Sequence, residues 1–243
     1  MNDPPDDGDE PQSSAQPDGN VIELHGGPGF WSGFATDTFV APGLSALTDP
    51  CLPDLSDLRE RSRGWAAGFI LRTIFDGLDR DPGRQLFLSS LHRSSLAVAE
   101  YEWLRTSLPE FLAVRNQKPG RYFDVLPHVE RVVTEARLAI ACMREIQRVA
   151  GQVDPGVEPP DFVRLRKFHE AVKHFDTQIR SKQAQPGMLV PIWLTNSGLC
   201  GVGVEGELAY ERLAELLRAL GRNAEYALTF EPQSPGPGPT STS

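Results

Sequence analysis

Phe162-Val-Arg-Leu-Arg-Lys-Phe-His-Glu-Ala-Val-Lys-His-Phe-Asp-Thr-Gln-Ile179 decides how this chain is read. Its apolar residues Phe162, Leu165, Phe168, Val172, Phe175 and Ile179 recur in steps of three and four. That spacing puts them on one face of a helix, which predicts a single amphipathic rod. Between them lie His169 and His174, with Arg164, Arg166, Lys167 and Lys173 around them. The rod is therefore expected to bury its apolar face and to present both imidazoles and several cations opposite.

The flanking segments read the same way. Tyr122, Leu126, Val129, Val133, Ala136, Ile140 and Met143 alternate by four and three, the seam of long antiparallel helices in a bundle. Pro127 falls inside that run, so the helix starts there or kinks there. Leu58, Trp65, Phe69, Ile70, Ile74 and Leu78 fit an earlier helix of about 25 residues, with Asp54 or Ser56 at its start. Asp81-Pro82-Gly83 ends it. Leu88, Leu91, Leu96, Ala99, Trp103 and Leu104 fit a helix from about Arg84 to Leu108, with Pro109 as the break. After the histidine helix the period changes. Met188 to Leu194 and Leu199 to Val204 are β-prone around the turn Thr195-Asn-Ser-Gly198, which reads as a hairpin. Tyr210, Leu213, Leu216, Leu217 and Leu220 then form a last amphipathic helix. The fold class that follows is mainly α: an antiparallel helical bundle of about five helices with a small β-hairpin before the last helix.

The ends differ in composition. Residues 1–20 carry Asp3, Asp6, Asp7, Asp9, Glu10 and Asp18 and no Lys or Arg. Residues 231–243 are Pro/Gly/Ser/Thr-rich. Neither can bury enough apolar surface to offset the entropy of ordering it, so both read as disordered tails. Residues 21–53 read as an irregular Gly/Pro-rich segment whose Phe30, Trp31, Phe34 and Phe39 pack onto the core. Residues 54–228 read as the helical bundle domain.

The net charge is −9, from 24 basic and 33 acidic side chains. Without the six N-terminal acids it is 24 against 27, or −3. A near-neutral body lacks the field on which autonomous nucleic-acid binders depend. Cys51, Cys142 and Cys200 form no CxxC or Cys/His cluster, which argues against a disulfide framework and a structural zinc site. The acidic start has no apolar run of a signal peptide, and Trp65–Ile74 is too short to span a bilayer. A soluble protein of the reducing cytoplasm is expected.

His25-Gly-Gly-Pro-Gly29 is similar to the oxyanion-hole segment of the proline-iminopeptidase branch of α/β-hydrolases. The chain has neither the GxSxG elbow nor the strands that chemistry needs, so the segment reads as a loop. Gly198-Leu-Cys-Gly-Val-Gly203 has GxxGxG spacing and sits in a hairpin, which argues against a dinucleotide site. Cys200, with no basic neighbour in sequence, reads as a buried thiol. His169 and His174 are about 140° apart around a helix and cannot chelate one ion together; His92 and His128 stand alone. No cofactor and no metal are expected.

The stretch His169-Glu-Ala-Val-Lys-His174-Phe-Asp-Thr-Gln-Ile179, with the hairpin and helix after it, resembles the HEPN-like helical proteins over about residues 120–228. The resemblance implies a four- to five-helix bundle, a homodimer or a protein partner, and a toxin–antitoxin or defence setting. Active members carry Arg, four to six residues, then His, and cut RNA without metal. The Arg stabilises the phosphorane and the His moves the 2′-hydroxyl proton. Aligned on His174-Phe-Asp, the Arg position holds His169; in a second register, Arg164 to His169 fits Arg-x4-His. Arg121 to His128 fits Arg-x6-His as well. The implied site residues are His174, His169, Arg164 and Arg166. The first function expected is a non-catalytic interaction protein; the alternative is a metal-independent endoribonuclease.

Overall fold

The computed structural model describes residues 33–75, 82–150, 159–184 and 187–229. Phe30, Trp31, His25 to Gly29, Leu78 and both ends, 1–20 and 231–243, lie outside the described residues, as do the side chains of Phe34 and Ile74. Within these bounds the chain is mainly helical, a bundle with a small antiparallel sheet before its last helix. The helices are α1 (Gly33–Phe39), α2 (Ser56–Ser62), α3 (Trp65–Phe75), α4 (Pro82–Val114), α5 (Tyr122–Ala150), α6 (Pro159–Lys173), α7 (Phe175–Arg180) and α8 (Tyr210–Thr229). The strands are β1 (Ile192–Leu194), β2 (Gly198–Gly201) and β3 (Leu208–Ala209). No helix among the described residues is long and apolar enough to cross a membrane.

The central pair is α4 with α5. Phe111 meets Tyr122, Glu100 meets His128, Arg93 meets Glu135 and Ser90 meets Ala139, so the two run antiparallel. All seven residues of the four-three seam on α5 are buried. The helix begins at Tyr122, and Pro127 sits inside it at an exposed position. Pro109 does not end α4 either, which runs on to Val114. Leu108 and Phe111 are buried on either side of the proline, and their packing outweighs its missing N–H. Nearby, the hydroxyls of Thr106 and Ser107 donate to the carbonyls of Glu102 and Trp103, the back-bonding that bends helices.

The expected helix from Asp54 is two helices, α2 and α3, parted at Arg63-Gly64. Asp54 does serve the start of α2, its Oδ1 accepting the Ser56 N–H at 2.8 Å. The parting lets two side chains reach one spot on α8. A Cβ on Gly221 would lie 2.5 Å from Leu58 Cδ1 and 3.3 Å from Trp65 Cη2. An unbroken helix would hold those two residues about 10.5 Å apart along its axis.

The hairpin is present, and a third strand extends it. β1 pairs with β2 in the register Ile192–Gly201, Trp193–Cys200, Leu194–Leu199, and β2 pairs with β3 through Gly198–Ala209 and Leu199–Leu208. The glycines of the GxxGxG run are packing devices. A Cβ at Gly198 would stand 2.3 Å from the Leu208 carbonyl oxygen, and one at Gly201 would stand 3.0 Å from the Phe168 ring. Tyr122 fastens the sheet to α5 by accepting the Leu194 N–H at 3.0 Å.

The segment before α2 is less irregular than its composition suggests. It holds α1 and a 3-10 turn at Leu44–Ala46, with Val40, Ala41, Leu44 and Leu47 buried in the same core as the bundle. Phe39 is an exception, 53% exposed rather than packed inward. Asn196, at the hairpin turn, ties this segment down by accepting from Thr48 and Asp49 N–H and donating to the Ala46 carbonyl.

Candidate functional site

The histidine-bearing element is not one rod. The helix α6 ends at Lys173, His174 takes a turn conformation (φ −117°, ψ 25°), and α7 begins at Phe175. The apolar pattern continues through the break, but the burial does not. Leu165, Phe168 and Ala171 are buried, Val172 and Phe175 are half-buried, and Ile179 is 51% exposed. An apolar stripe holds a helix in place only where a partner covers it. Beyond Ala171 that cover thins, and the helix breaks.

At its start α6 is pinned by Asp161. This acid is 6% exposed and ion-paired with Arg212 of α8. On one flank Arg144 of α5 lies over the Phe162 ring, 3.7 Å from its centre. The α5 flank that faces α6 is a second stripe beside the apolar seam: Glu130, Thr134, Arg137, Ala141 and Arg144, spaced four, three, four, three. These side chains are half-buried. Burial pushes the Glu130 carboxyl above the usual carboxylate range.

Each of the four expected site residues has its own surroundings. His169 is half-buried against α5, its Nδ1 3.4 Å from Thr134 Oγ1. Burial lowers its pKa, and the Arg137 guanidinium lowers it further. His174 is exposed, with Nε2 3.2 Å from Glu170 Oε2. Arg164 turns to the loop after β2, where a Cβ on Gly206 would lie 3.9 Å from its Nη2. Arg166 lines a cleft of about 470 Å³ with Lys167, Glu170, Ala171, Gln178, Val202 and Gly203. The expectation that one face carries both imidazoles is corrected here. His169 belongs to the α5–α6 seam, while His174, at the break between α6 and α7, belongs to the outer surface.

The cation that does approach His169 is Arg137, which sequence reasoning passed over. Its Nε is buried without a hydrogen-bond acceptor. The signal was present in the half-buried stripe of α5, one step around from the seam. A search along α6 for Arg-x4-His could not find it, because the pair forms across two helices.

A second cluster was also missed. His128 is not isolated: its Nδ1 lies 2.6 Å from Glu100 Oε2, and Glu100 Oε1 accepts from Arg131 at 3.1 Å. Its ring stacks on Trp103 at 6.2 Å and 13°. Trp103 itself is 58% exposed. The Arg121 that opened the other Arg-x-His spacing is engaged by Asp124 instead.

Cys51, Cys142 and Cys200 are free thiols. Burial, then Glu207, pushes the Cys200 thiol up, away from nucleophilic character. Among the described residues no three His, Cys, Asp or Glu side chains gather to hold a metal ion. No family model matches the chain, and neither a curated protein nor a solved structure matches it.

Proposed function

We propose that this chain is a non-catalytic interaction protein of the HEPN-like kind, acting in the cytoplasm in a toxin–antitoxin or defence setting. It associates as a homodimer or with a protein partner. The observation that carries this reading is the divergence of His169, His174, Arg164 and Arg166. An acid/base and a charge stabiliser must converge on one phosphate to cut RNA. Here His174 is occupied by Glu170, Arg164 faces the Gly206 loop, Arg166 lines the cleft with Gln178 and Val202, and His169 meets Thr134 of α5.

Exposed apolar side chains supply surface for association. The helix α3 carries one charged residue in eleven, buries Trp65, and turns Ile70 and Leu71 outward at 42% and 59% exposure. Light scattering on the whole chain after size exclusion checks the association. Twice the 26.7 kDa chain mass is expected; a monomer at all concentrations, together with no captured protein partner, contradicts the proposal.

One observation favours the endoribonuclease reading instead. Arg137 supplies across the seam the cation that the α6 motif lacks, next to an imidazole whose charged form is disfavoured by burial and by that same guanidinium. In that reading Arg137 and His169 act, and His174 does not. RNA cleavage in EDTA that is lost in Arg137→Ala and kept in His174→Ala would favour it over the interaction reading.

A further inference from the structure

The α5–α6 seam holds more cations than its own acids neutralise. Arg137 and Arg144 come from α5, and Arg166 and Lys173 from α6. On α6 the residues Phe162, Arg166, His169 and Lys173 are spaced four, three, four, which puts them along one stripe. Contacts across the seam are Arg144 with Phe162 and Thr134 with His169. None of the four cations makes an ion pair with a carboxylate among the described residues. The nearby acids are engaged otherwise or held back: Glu170 meets His174, Glu145 meets Arg148, and burial disfavours the charged form of Glu130. Elsewhere the arginines are mostly paired, as Arg61, Arg93, Arg105 and Arg131 are. A half-buried guanidinium with an unpartnered Nε is costly, and a carboxylate matches its planar fork.

The chain carries the matching charge itself. Residues 1–20 hold six acids and no base, five of them in Asp3–Glu10. The described structure begins at Gly33. Thr38 and Phe39, at the end of α1, pack at Gly187, in the loop that follows α7. The 32 residues before Gly33 reach up to about 100 Å when extended, ample for any point on α6.

We infer that the acidic N-terminal segment, residues 1–20, docks on the α5–α6 seam of its own chain and shields Arg137, Arg144, Arg166 and Lys173. The tether gives the segment an effective concentration on the order of millimolar, so weak exposed pairs suffice to occupy the seam. The inference stands whether or not the seam also acts on RNA, because it concerns only what covers it.

The test uses the full chain and a polyphosphate probe, which has no 2′-hydroxyl and so reports binding apart from cleavage. One variant replaces the six tail acids with their amides. Another, Arg166→Gln with Lys173→Gln, removes the two exposed seam cations and leaves the half-buried ones in place. At low salt the tail variant is expected to bind the probe at least about five-fold tighter than wild type, since it lacks the competing charge. That gain should shrink at least two-fold in the seam background, and vanish near 1 M salt, where the Debye length is about 3 Å. Equal binding by wild type and the tail variant overturns the inference. So does a gain of the same size in the seam background, which would put the segment elsewhere. A wild-type affinity that falls as protein concentration rises would assign the segment to a second copy and overturn docking on its own chain.

Discussion

Helices α5 and α6 lie side by side, yet they are held very differently. The seam of α5 is buried from Tyr122 through Met143, and Ile146 extends it. Its first turn is bound to the sheet by Tyr122 and its flank to α4 by Glu135 and His128. Besides Asp161 at its start, the helix α6 has three buried apolar anchors, Leu165, Phe168 and Ala171, and stops two residues after the last. Past the break, α7 buries no residue. His169, His174, Arg166 and Lys173 therefore sit where the fold holds least firmly, and Arg137 and Arg144 come to the same seam from the better-buried α5. Such an arrangement suits a binding edge, whose side chains adapt to a partner. It suits acid–base catalysis less, since catalysis needs its groups fixed to within a fraction of an ångström.

The contrast is open to attack by mutation. Phe168 is fully buried and sits against Gly201, so Phe168→Ala is expected to cost about 3–5 kcal/mol, by the lost burial and the cavity left behind. Ile179→Ala, six residues beyond Lys173, is expected to cost less than about 0.5 kcal/mol, as exposed substitutions do. Urea denaturation of both measures the difference. Similar costs would mean that the two sides of the break are equally anchored.

Tyr122 tests the firm side. Its ring is buried and its hydroxyl accepts the buried Leu194 N–H, so Tyr122→Phe leaves that donor unpaired. A loss of about 1–3 kcal/mol follows, with faster amide exchange at Leu194. Unchanged exchange there would show that the sheet does not depend on α5.

On the loose side, Lys182 closes α7 with φ +60°, a left-handed backbone that glycine adopts more readily. Lys182→Gly is expected to stabilise the chain by about 0.5–1 kcal/mol, since the strain it relieves outweighs the added freedom of the unfolded chain. Destabilisation would mean that the Lys182 side chain has a role beyond the turn.

The smallest effect is one of pH. The folded pKa of His169 lies below its ordinary value of 6.5, mainly through burial and then through Arg137. The unfolded chain takes up that proton first, so acid favours unfolding. Stability should fall as pH drops below 6.5 and level off below the folded value. His169→Gln should remove this part of the slope in denaturation midpoints taken from pH 7.5 down to 5. A slope unchanged by the substitution would remove His169 from the buried seam.

Local patterns carried the bundle but not its interruptions. The four-three seam of α5 was legible because every member found a partner in the core. Pro109 looked like an end because the pattern held no sign of how firmly Leu108 and Phe111 would be gripped. The break at His174 was illegible for the opposite reason, since Val172, Phe175 and Ile179 keep helical spacing without cover. Arg63-Gly64 parts α2 from α3 where a 25-residue helix had looked continuous. For the candidate site, one exposed face had been expected to carry both His169 and His174, because the cover that α5 gives His169 and the break at His174 are tertiary effects, and Arg137 likewise depended on which helix lies beside α6. The Glu100–His128 contact has the same cause: it joins residues 28 apart on two helices.

Cleavage of a single-stranded RNA by the full chain in EDTA tests the central claim, that His169, His174, Arg164 and Arg166 do not assemble a catalytic site. The expected result is a wild-type rate no higher than that of the buffer and of the His169→Ala and His174→Ala variants. Wild-type cleavage abolished by both substitutions would mean that the two imidazoles act on one phosphate, and the divergence described here would be wrong.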